Sequence, residues 1–402
     1  MLITNPRASF APYPAALQAV MSIARAEESR RWLSNWRELA PHGTPLYRLA
    51  AIARVLDVAE VCVKDESVRA SLGSFKALGA PIALARLIVR LWHDRNLAPA
   101  ALMAGGYADL LGGFTAISAT DGNHGRALAA AARDFGCRCV IVLHANVSLE
   151  REDAIAAYGA EIVRIAGNYD ESVQEAARLA RANSWHVVSD TSYDGYEDIP
   201  RDVMQGYGTI AAEVVEHAGP FTHVMLQGGV GGMAAGVASY LWEYYGARRP
   251  RFVVVEPEQA DCLYQSAREG RAARATGSVD SVMAGLACGE TSPLAWRFLE
   301  PCIDHFMTIR DQDAVRAMQW LAEGTDDPPI VAGESGVAGL AALAALRGDA
   351  AMSREVRLDA SSRVLLISTE GATAPSVYAQ LVGESAQSVL ARQGAWHERA
   401  AG

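Results

Sequence analysis

The sequence predicts an α/β fold of two domains, with parallel-type twisted sheets covered by helices. Three observations predict it. Strand-like and helix-like runs alternate along the chain, the rhythm of βαβ units. The strand-like runs are apolar from end to end, as in "VIVL" at 140–143, "FVVVE" at 252–256 and "VLLI" at 364–367; parallel strands, buried on both faces, need that. The chain has 402 residues, of which 50% are hydrophobic and 20% charged, enough for two cores.

Taken in order, "VCVKD" at 61–65 reads as a strand. "HGRALAAAARDFG" at 124–136 is a helix ended by Gly136, and "CRCVIVL" at 137–143 is the next strand. "SLEREDAIAAYG" at 148–159 is a helix capped by Ser148 and ended by Gly159. "AEIVRI" at 160–165 is a strand, "DESVQEAARLARAN" at 170–183 a helix, and "WHVVSD" at 185–190 a strand. "QGYGTIAAEVVEHAG" at 205–219 is helical. "THVMLQ" at 222–227, "RFVVVEP" at 251–257 and "RVLLIST" at 363–369 are strands. The stretches 267–281 and 346–363 read as mobile surface connections. This layout predicts a small domain over 85–205, inserted in a large one built from 1–84 and 206–402.

The formal net charge is -10, which speaks against a nucleic-acid partner, since that would want a basic stripe. The apolar run "PIALARLIVRLW" at 81–92 is interrupted by Arg86 and Arg90 and falls short of the roughly 20 residues of a membrane span. No secretory signal opens the chain. The six cysteines, Cys62, Cys137, Cys139, Cys262, Cys288 and Cys302, are scattered and read as reduced thiols of a cytoplasmic protein. No metal-ligand spacing is seen.

Ligands of parallel sheets sit beyond the carboxyl ends of strands, so the residues after each strand matter most. In "LQGGVGGMAAGV" at 226–237, Gly228, Gly229, Val230, Gly231 and Gly232 join a strand to a small-residue helix. Close backbone amides and a helix N-terminus suit a phosphate. The alternative is a ligand-free turn. The loop lacks the Gly-Lys-Ser/Thr of a P-loop and lies mid-chain, unlike a dinucleotide fingerprint. In "ISATDGNHG" at 117–125, Thr120, Asp121, Gly122, Asn123 and His124 open a helix. Free donors there suit a substrate carboxylate, unless the loop is only a cap. In "SLGSFKALGA" at 71–80, Lys76 stands among small and apolar neighbours just after Ser74. A partly desolvated lysine is a nucleophile; the plain alternative is an exposed lysine at a helix start. Asp190 directly follows a strand and is a candidate general base or a loop cap. Glu256 and Glu370 also follow strands and are candidates to line a pocket. A nucleophilic lysine, a carboxylate loop and a phosphate cup, in that order, suit a phosphorylated aldehyde that condenses with amines: pyridoxal 5'-phosphate (PLP).

These motifs resemble the tryptophan-synthase-β-like family of PLP enzymes, fold type II. Lys76 matches the lysine that carries the cofactor, "TDGNHG" the asparagine loop and "GGVGG" the phosphate loop. Within that family, "DESVRASLGSFKALG", "ATDGNHGRALA", "GNYDESV", "DTSYDGYEDIPRDVMQGY", "VMAGLACGETSPLAW" and "STEG" are similar to the diaminopropionate ammonia-lyases. The likeness runs from Asp65 to Gly371, with 190–207 and 282–296 as its specific part. It implies a cofactor in the interdomain cleft, a homodimer, and α,β-elimination of a 3-substituted amino acid, foremost 2,3-diaminopropionate to pyruvate and ammonia. It further implies that Asp190 serves the Cα proton of the L-isomer and Asp121 that of the D-isomer. Asn123 would meet the ring 3-oxygen, and Ser368 or Thr369 the pyridine nitrogen. Ser74 would approach the phosphate or the substrate carboxylate. The family usually has Phe-Gly where this chain has Ala70-Ser71, and "LQGGVGG" replaces the usual Gln-Ala-Gly-Val-Gly. The smaller pair suggests room for a larger side chain, which keeps dehydration of a threonine, serine or phenylserine type of substrate as an alternative. A non-catalytic PLP-binding protein is the reading from a different class, and retention of Lys76 and Asp190 argues against it.

Overall fold

Eleven strands appear among the described residues of this computed structural model, which describes residues 1–402 apart from Pro41, Asp121, Asn168, Thr325 and Gly402. They are β1 (Leu2–Thr4), β2 (Leu46–Arg48), β3 (Glu60–Asp65), β4 (Thr115–Ala119), β5 (Arg138–Leu143), β6 (Glu161–Arg164), β7 (His186–Val187), β8 (His223–Gln227), β9 (Arg251–Pro257), β10 (His305–Ile309) and β11 (Arg363–Ser368). One sheet has the order β1-β10-β9-β8-β11-β3-β2, the other β6-β5-β4-β7. All inner pairings are parallel, and only the edge strands β1 and β2 pair antiparallel. Every residue of β4, β8 and β10 is buried, as β-branched and aliphatic runs between helix layers require.

The helices that bear on the site are α1 (Ala80–Leu91), α2 (Asn123–Phe135), α3 (Leu149–Ala156), α4 (Tyr169–Asn183), α5 (Asp198–His217), α6 (Gly232–Tyr245), α7 (Cys262–Glu269) and α8 (Ala350–Val356). Ser148 caps α3, its hydroxyl accepting from the Arg151 amide, as the sequence predicts. α5 begins seven residues before its predicted start. Pro200 falls in its first turn, where a missing N–H breaks no bond. The predicted strand 185–190 shrinks to β7, and the stretch 346–363 is not a loose connection. It holds α8, whose N-cap Asp349 accepts from the amides of Ala351 and Met352. The stretch 267–281 likewise starts inside α7. Among the described residues no helix is long and apolar enough to cross a membrane. Cys62, Cys137, Cys139, Cys262 and Cys302 are buried free thiols.

One buried charge cluster ties β3 to α5. Lys64 Nζ lies 2.5 Å from Glu213 Oε2, and Arg69 reaches Glu213 at 2.6 Å and Glu66 at 2.7 Å. Two cations face two carboxylates, and Lys64 also donates to the Thr44 carbonyl at 2.6 Å. Burial pushes the Glu213 carboxyl up, but the Arg69 and Lys64 charges override it and hold it at about 2. The cluster fixes the start of the segment that leads from β3 toward Lys76. Glu213→Ala is expected to cost about 3–5 kcal/mol, because two buried cations lose a shared partner. Urea unfolding measures this, and a loss under about 1 kcal/mol would show that the cluster relaxes without strain.

Candidate active site

Five strand ends meet at one cavity. β3 leads through Asp65 to the Lys76 segment, β8 ends at Gln227 before the glycine loop, and β11 ends at Ser368. From the other sheet, β4 leads to Thr120 and β7 to Asp190. Lys76, Thr120, Gly122, Asn123, His124, Asp190, Gly228, Gly229, Val230, Gly232, Thr369 and Glu370 all line the cavity. Sequence reasoning singled out these residues from segments far apart in the chain, and the fold brings them together. Asp121 lies outside the described residues.

Lys76 sits in a short 3-10 turn, Phe75–Leu78, directly before α1. Beyond the end of β11 the chain pairs with the segment before Lys76: the Phe75 amide donates to the Thr369 carbonyl at 3.0 Å, and the Gly371 amide to the Gly73 carbonyl at 3.0 Å. Ser74 pairs with Glu370 as an antiparallel bridge; it is buried and is not among the cavity-lining residues. Lys76 Nζ lies 2.5 Å from Asp190 Oδ2. It also stands 5.1 Å from the Phe75 ring centroid and 5.9 Å from that of Tyr207, each contact worth about 0.5–2 kcal/mol. Burial by itself lowers the lysine's basicity, but the Asp190 carboxylate reverses this and holds it above its ordinary value. For Asp190 burial acts upward, and the Lys76 charge, followed by His124, pulls the carboxyl well below the usual range. Lys76 is therefore a buried ammonium, not the exposed helix-start lysine of the plain reading.

The loop at 120–124 is both a cap and a lining. Thr120 Oγ1 accepts from the amides of Gly122 at 3.1 Å and Gly125 at 3.2 Å. Asn123 Nδ2 donates to Glu370 Oε2. His124 bonds the Val188 carbonyl through Nε2 at 2.8 Å, which leaves Nδ1 3.8 Å from Asp190 Oδ2. Burial lowers its basicity, and through the Val188 bond the ring props the Asp190 loop. The two segments that carried the narrower resemblance touch each other here. Ser192 Oγ and Ser292 Oγ are 2.8 Å apart, and the Ser292 amide donates to the Val230 carbonyl at 3.0 Å.

The cavity fits pyridoxal phosphate. Ser368 Oγ is buried at the end of β11 with no hydrogen-bond partner among the described residues, as a hydroxyl kept for a ligand nitrogen would be. The glycine cup has no room for side chains: a Cβ on Gly228 would lie 2.6 Å from Glu256 Cγ, and one on Gly231 2.8 Å from Leu299 Cδ1. Gly229 and Gly231 have φ of +63° and +99°, which favours glycine. The amides of the first turn of α6 then face the cavity without intrahelical acceptors. Gly231 itself stands behind the lining.

Other expectations are corrected. Glu256 does not line the cavity; its carboxylate accepts from the Leu263 and Tyr264 amides at 2.9 and 2.7 Å and so caps α7. Ala70 and Ser71 do not line it either. Ser71 is exposed and donates to Glu38 at 2.6 Å, so the small pair opens no room for a bulky substrate. The sequence did not point to Tyr207, Arg151 or Ser335, which also line the cavity. Arg151 meets Glu334 at 2.9 Å, a pairing between residues with no common motif.

Residues 38–370 match the family described as pyridoxal-phosphate dependent enzyme. Diaminopropionate ammonia-lyase of Escherichia coli is 39% identical over 355 residues, 86% of this chain and 88% of that protein. Its crystal structure with an aminoacrylate-PLP azomethine reaction intermediate superposes with a TM-score of 0.85 at 36% identity, covering 95% of this chain and 96% of that one. Its complex with D-serine gives 0.86 at 36% identity, covering 97% and 98%. With its lysine, glycine cup and asparagine loop gathered at one set of strand ends, the chain belongs to the pyridoxal-phosphate-dependent enzymes of fold type II, among the diaminopropionate ammonia-lyases.

Proposed function

We propose that this protein is a PLP-dependent lyase that eliminates ammonia from 2,3-diaminopropionate, giving pyruvate and a second ammonia. The observation that carries the reading is the half-buried Lys76–Asp190 pair at 2.5 Å inside the strand-end cavity: a nucleophile and a base in contact, in a chain 39% identical to an enzyme of that activity. The absence of extra space at Ala70 and Ser71 favours it over a bulky 3-hydroxy substrate.

In this reading Lys76 holds the cofactor through Nζ, and Gly228–Gly232 with the α6 N-terminus hold its phosphate. Ser368 or Thr369 would meet the pyridine nitrogen: Thr369 lines the cavity, and Ser368 keeps an unpartnered hydroxyl. Asn123 would meet the ring 3-oxygen. When bound, the cofactor supplies an electron-accepting ring that acidifies the Cα–H of an attached amino acid. Thr120, Gly122 and His124 shape the loop that receives the substrate carboxylate, and Ser74 pairs with the Glu370 backbone behind the cavity. Asp190 takes the Cα proton of the L-isomer. Its charge is secured by the Lys76 ammonium; once Nζ sheds its proton, burial alone acts on Asp190 and its basicity rises. Lys76, as an amine, is the second proton carrier. Asp121 serves the D-isomer, a role that rests on the resemblance, as does the homodimer; a cytoplasmic location is the reading that the scattered free thiols support. The division into 1–84 with 206–402 and an inserted 85–205 is supported by the segregation of β4–β7 into their own sheet, and closure of the two over substrate would exclude water.

Three outcomes test this. Pyruvate release is expected from diaminopropionate in preference to threonine or phenylserine, by a coupled assay; no release from diaminopropionate would sink the substrate assignment. Lys76→Ala is expected to abolish turnover and the visible band of the lysine-linked cofactor, and a colourless wild-type protein that ignores PLP would refute the assignment. Asp190→Asn is expected to lower kcat on the L-isomer by about 10²–10⁴-fold with the cofactor band retained, while Asp121→Asn affects the D-isomer; loss of both isomers in either variant would remove the division of labour.

A further inference from the structure

One carboxylate in the cavity lacks a counter-charge. Glu370 is 3% exposed and lines the cavity. It accepts from Asn123 Nδ2, from the Ser335 amide at 3.2 Å and from Thr373 Oγ1 at 3.4 Å. All three donors are neutral. Of the cations that line the cavity, Lys76 meets Asp190 at 2.5 Å, Arg151 meets Glu334 at 2.9 Å and Arg126 reaches the Ser71 carbonyl at 3.5 Å; no ion pair to Glu370 occurs among the described residues. A carboxylate so enclosed without a cation is unfavourable, and a cation arriving beside it recovers that energy.

Glycines keep its surroundings clear. A Cβ on Gly333 would stand 2.9 Å from Glu370 Cγ, and one on Gly285 would stand 2.9 Å from Ser335 Oγ and 3.9 Å from Glu370 Oε1. Its acidic neighbour responds to the local field: burial, then the Glu370 charge, pushes the Glu334 carboxyl up to about 7. Diaminopropionate differs from serine at C3 alone, where it carries an ammonium in place of a hydroxyl.

We infer that Glu370 is a specificity-determining residue that receives the 3-ammonium of the substrate and so selects a diamino acid over 3-hydroxy amino acids. This rests on the diaminopropionate reading. The carboxylate and the loop at 120–124 would then grip opposite charges of one small zwitterion, with Cα between them and Asp190.

The test uses PLP-loaded Lys76→Ala protein, which binds without turning over, titrated with L-2,3-diaminopropionate and with L-serine while cofactor absorbance is read. Adding Glu370→Gln is expected to weaken diaminopropionate about 10- to 100-fold and serine less than about twofold, since only the former loses a charge-assisted bond. Glu370→Asp, which keeps the charge, is expected to retain part of the preference. Equal weakening of both ligands would mean that Glu370 merely holds Asn123 in place, and unchanged affinity would also overturn the inference. Wild-type enzyme that releases no pyruvate from diaminopropionate overturns the parent reading and this one together. Wild-type enzyme that does so, while Glu370→Gln keeps the wild-type preference, overturns this one alone.

Discussion

The parallel pairing of β11 with both β3 and β8 is the constraint on which the site depends. In that register Ser368 stands opposite Asp65, and Leu366 opposite Met225, so three strands end nearly level. The segments leaving those ends are then forced into one place: the Lys76 turn, the glycine loop and the Thr369-Glu370 pair. The extension of pairing through Phe75 and Thr369 places the lysine by backbone hydrogen bonds and not by its own flexible side chain. Gln227 locks the third strand end by donating to the carbonyls of Ile367 and Gly336 at 2.6 and 2.9 Å.

Charge is handled differently outside and inside the cavity. Around Glu213 the buried ions are matched, two against two, and are a means of fixing the Lys76 segment and α5 together. In the cavity Lys76 and Asp190 match each other, Arg151 and Glu334 match each other, and Glu370 is left with neutral donors. The first arrangement has no task after folding. The second holds its charges in a state that a ligand can change, which is where strongly shifted protonation equilibria belong.

Much of this was legible in the sequence, for identifiable reasons. Parallel strands announce themselves as unbroken apolar runs, and the residues after them are the ones that meet ligands, so Asp190 and Gly228–Gly232 stood out from position alone. Lys76 stood out by its neighbours. Ser368 and Thr369 were not separable by spacing, since they are adjacent at the end of one strand: Thr369 lines the cavity, and Ser368 is buried with an unpartnered hydroxyl. Arg151 and Glu334 were not legible, since one sits in an ordinary helix and the other in a segment with no periodicity. Nor was the start of α5, because Pro200 reads as a breaker until its place in the first turn is known. The small Ala70-Ser71 pair misled, as its segment leads to the cavity-lining Phe75 and Lys76 while the pair itself does not line the cavity.

The contact between α5 and the Lys76 turn sets how this site drifts. A Cβ on Gly79 would come within 2.6 Å of the Tyr207 ring, and one on Gly206 within 2.0 Å of the Leu78 carbonyl oxygen. At Gly206 the two pieces meet main chain to main chain, and at Gly79 main chain meets the Tyr207 ring, closer than a side chain at either position permits. Side chains elsewhere in the core can exchange volume with their neighbours over many small steps. Here there is no volume to exchange, so divergence among relatives has to pass around these two glycines, and the lysine inherits its fixed address from atoms that never touch a ligand.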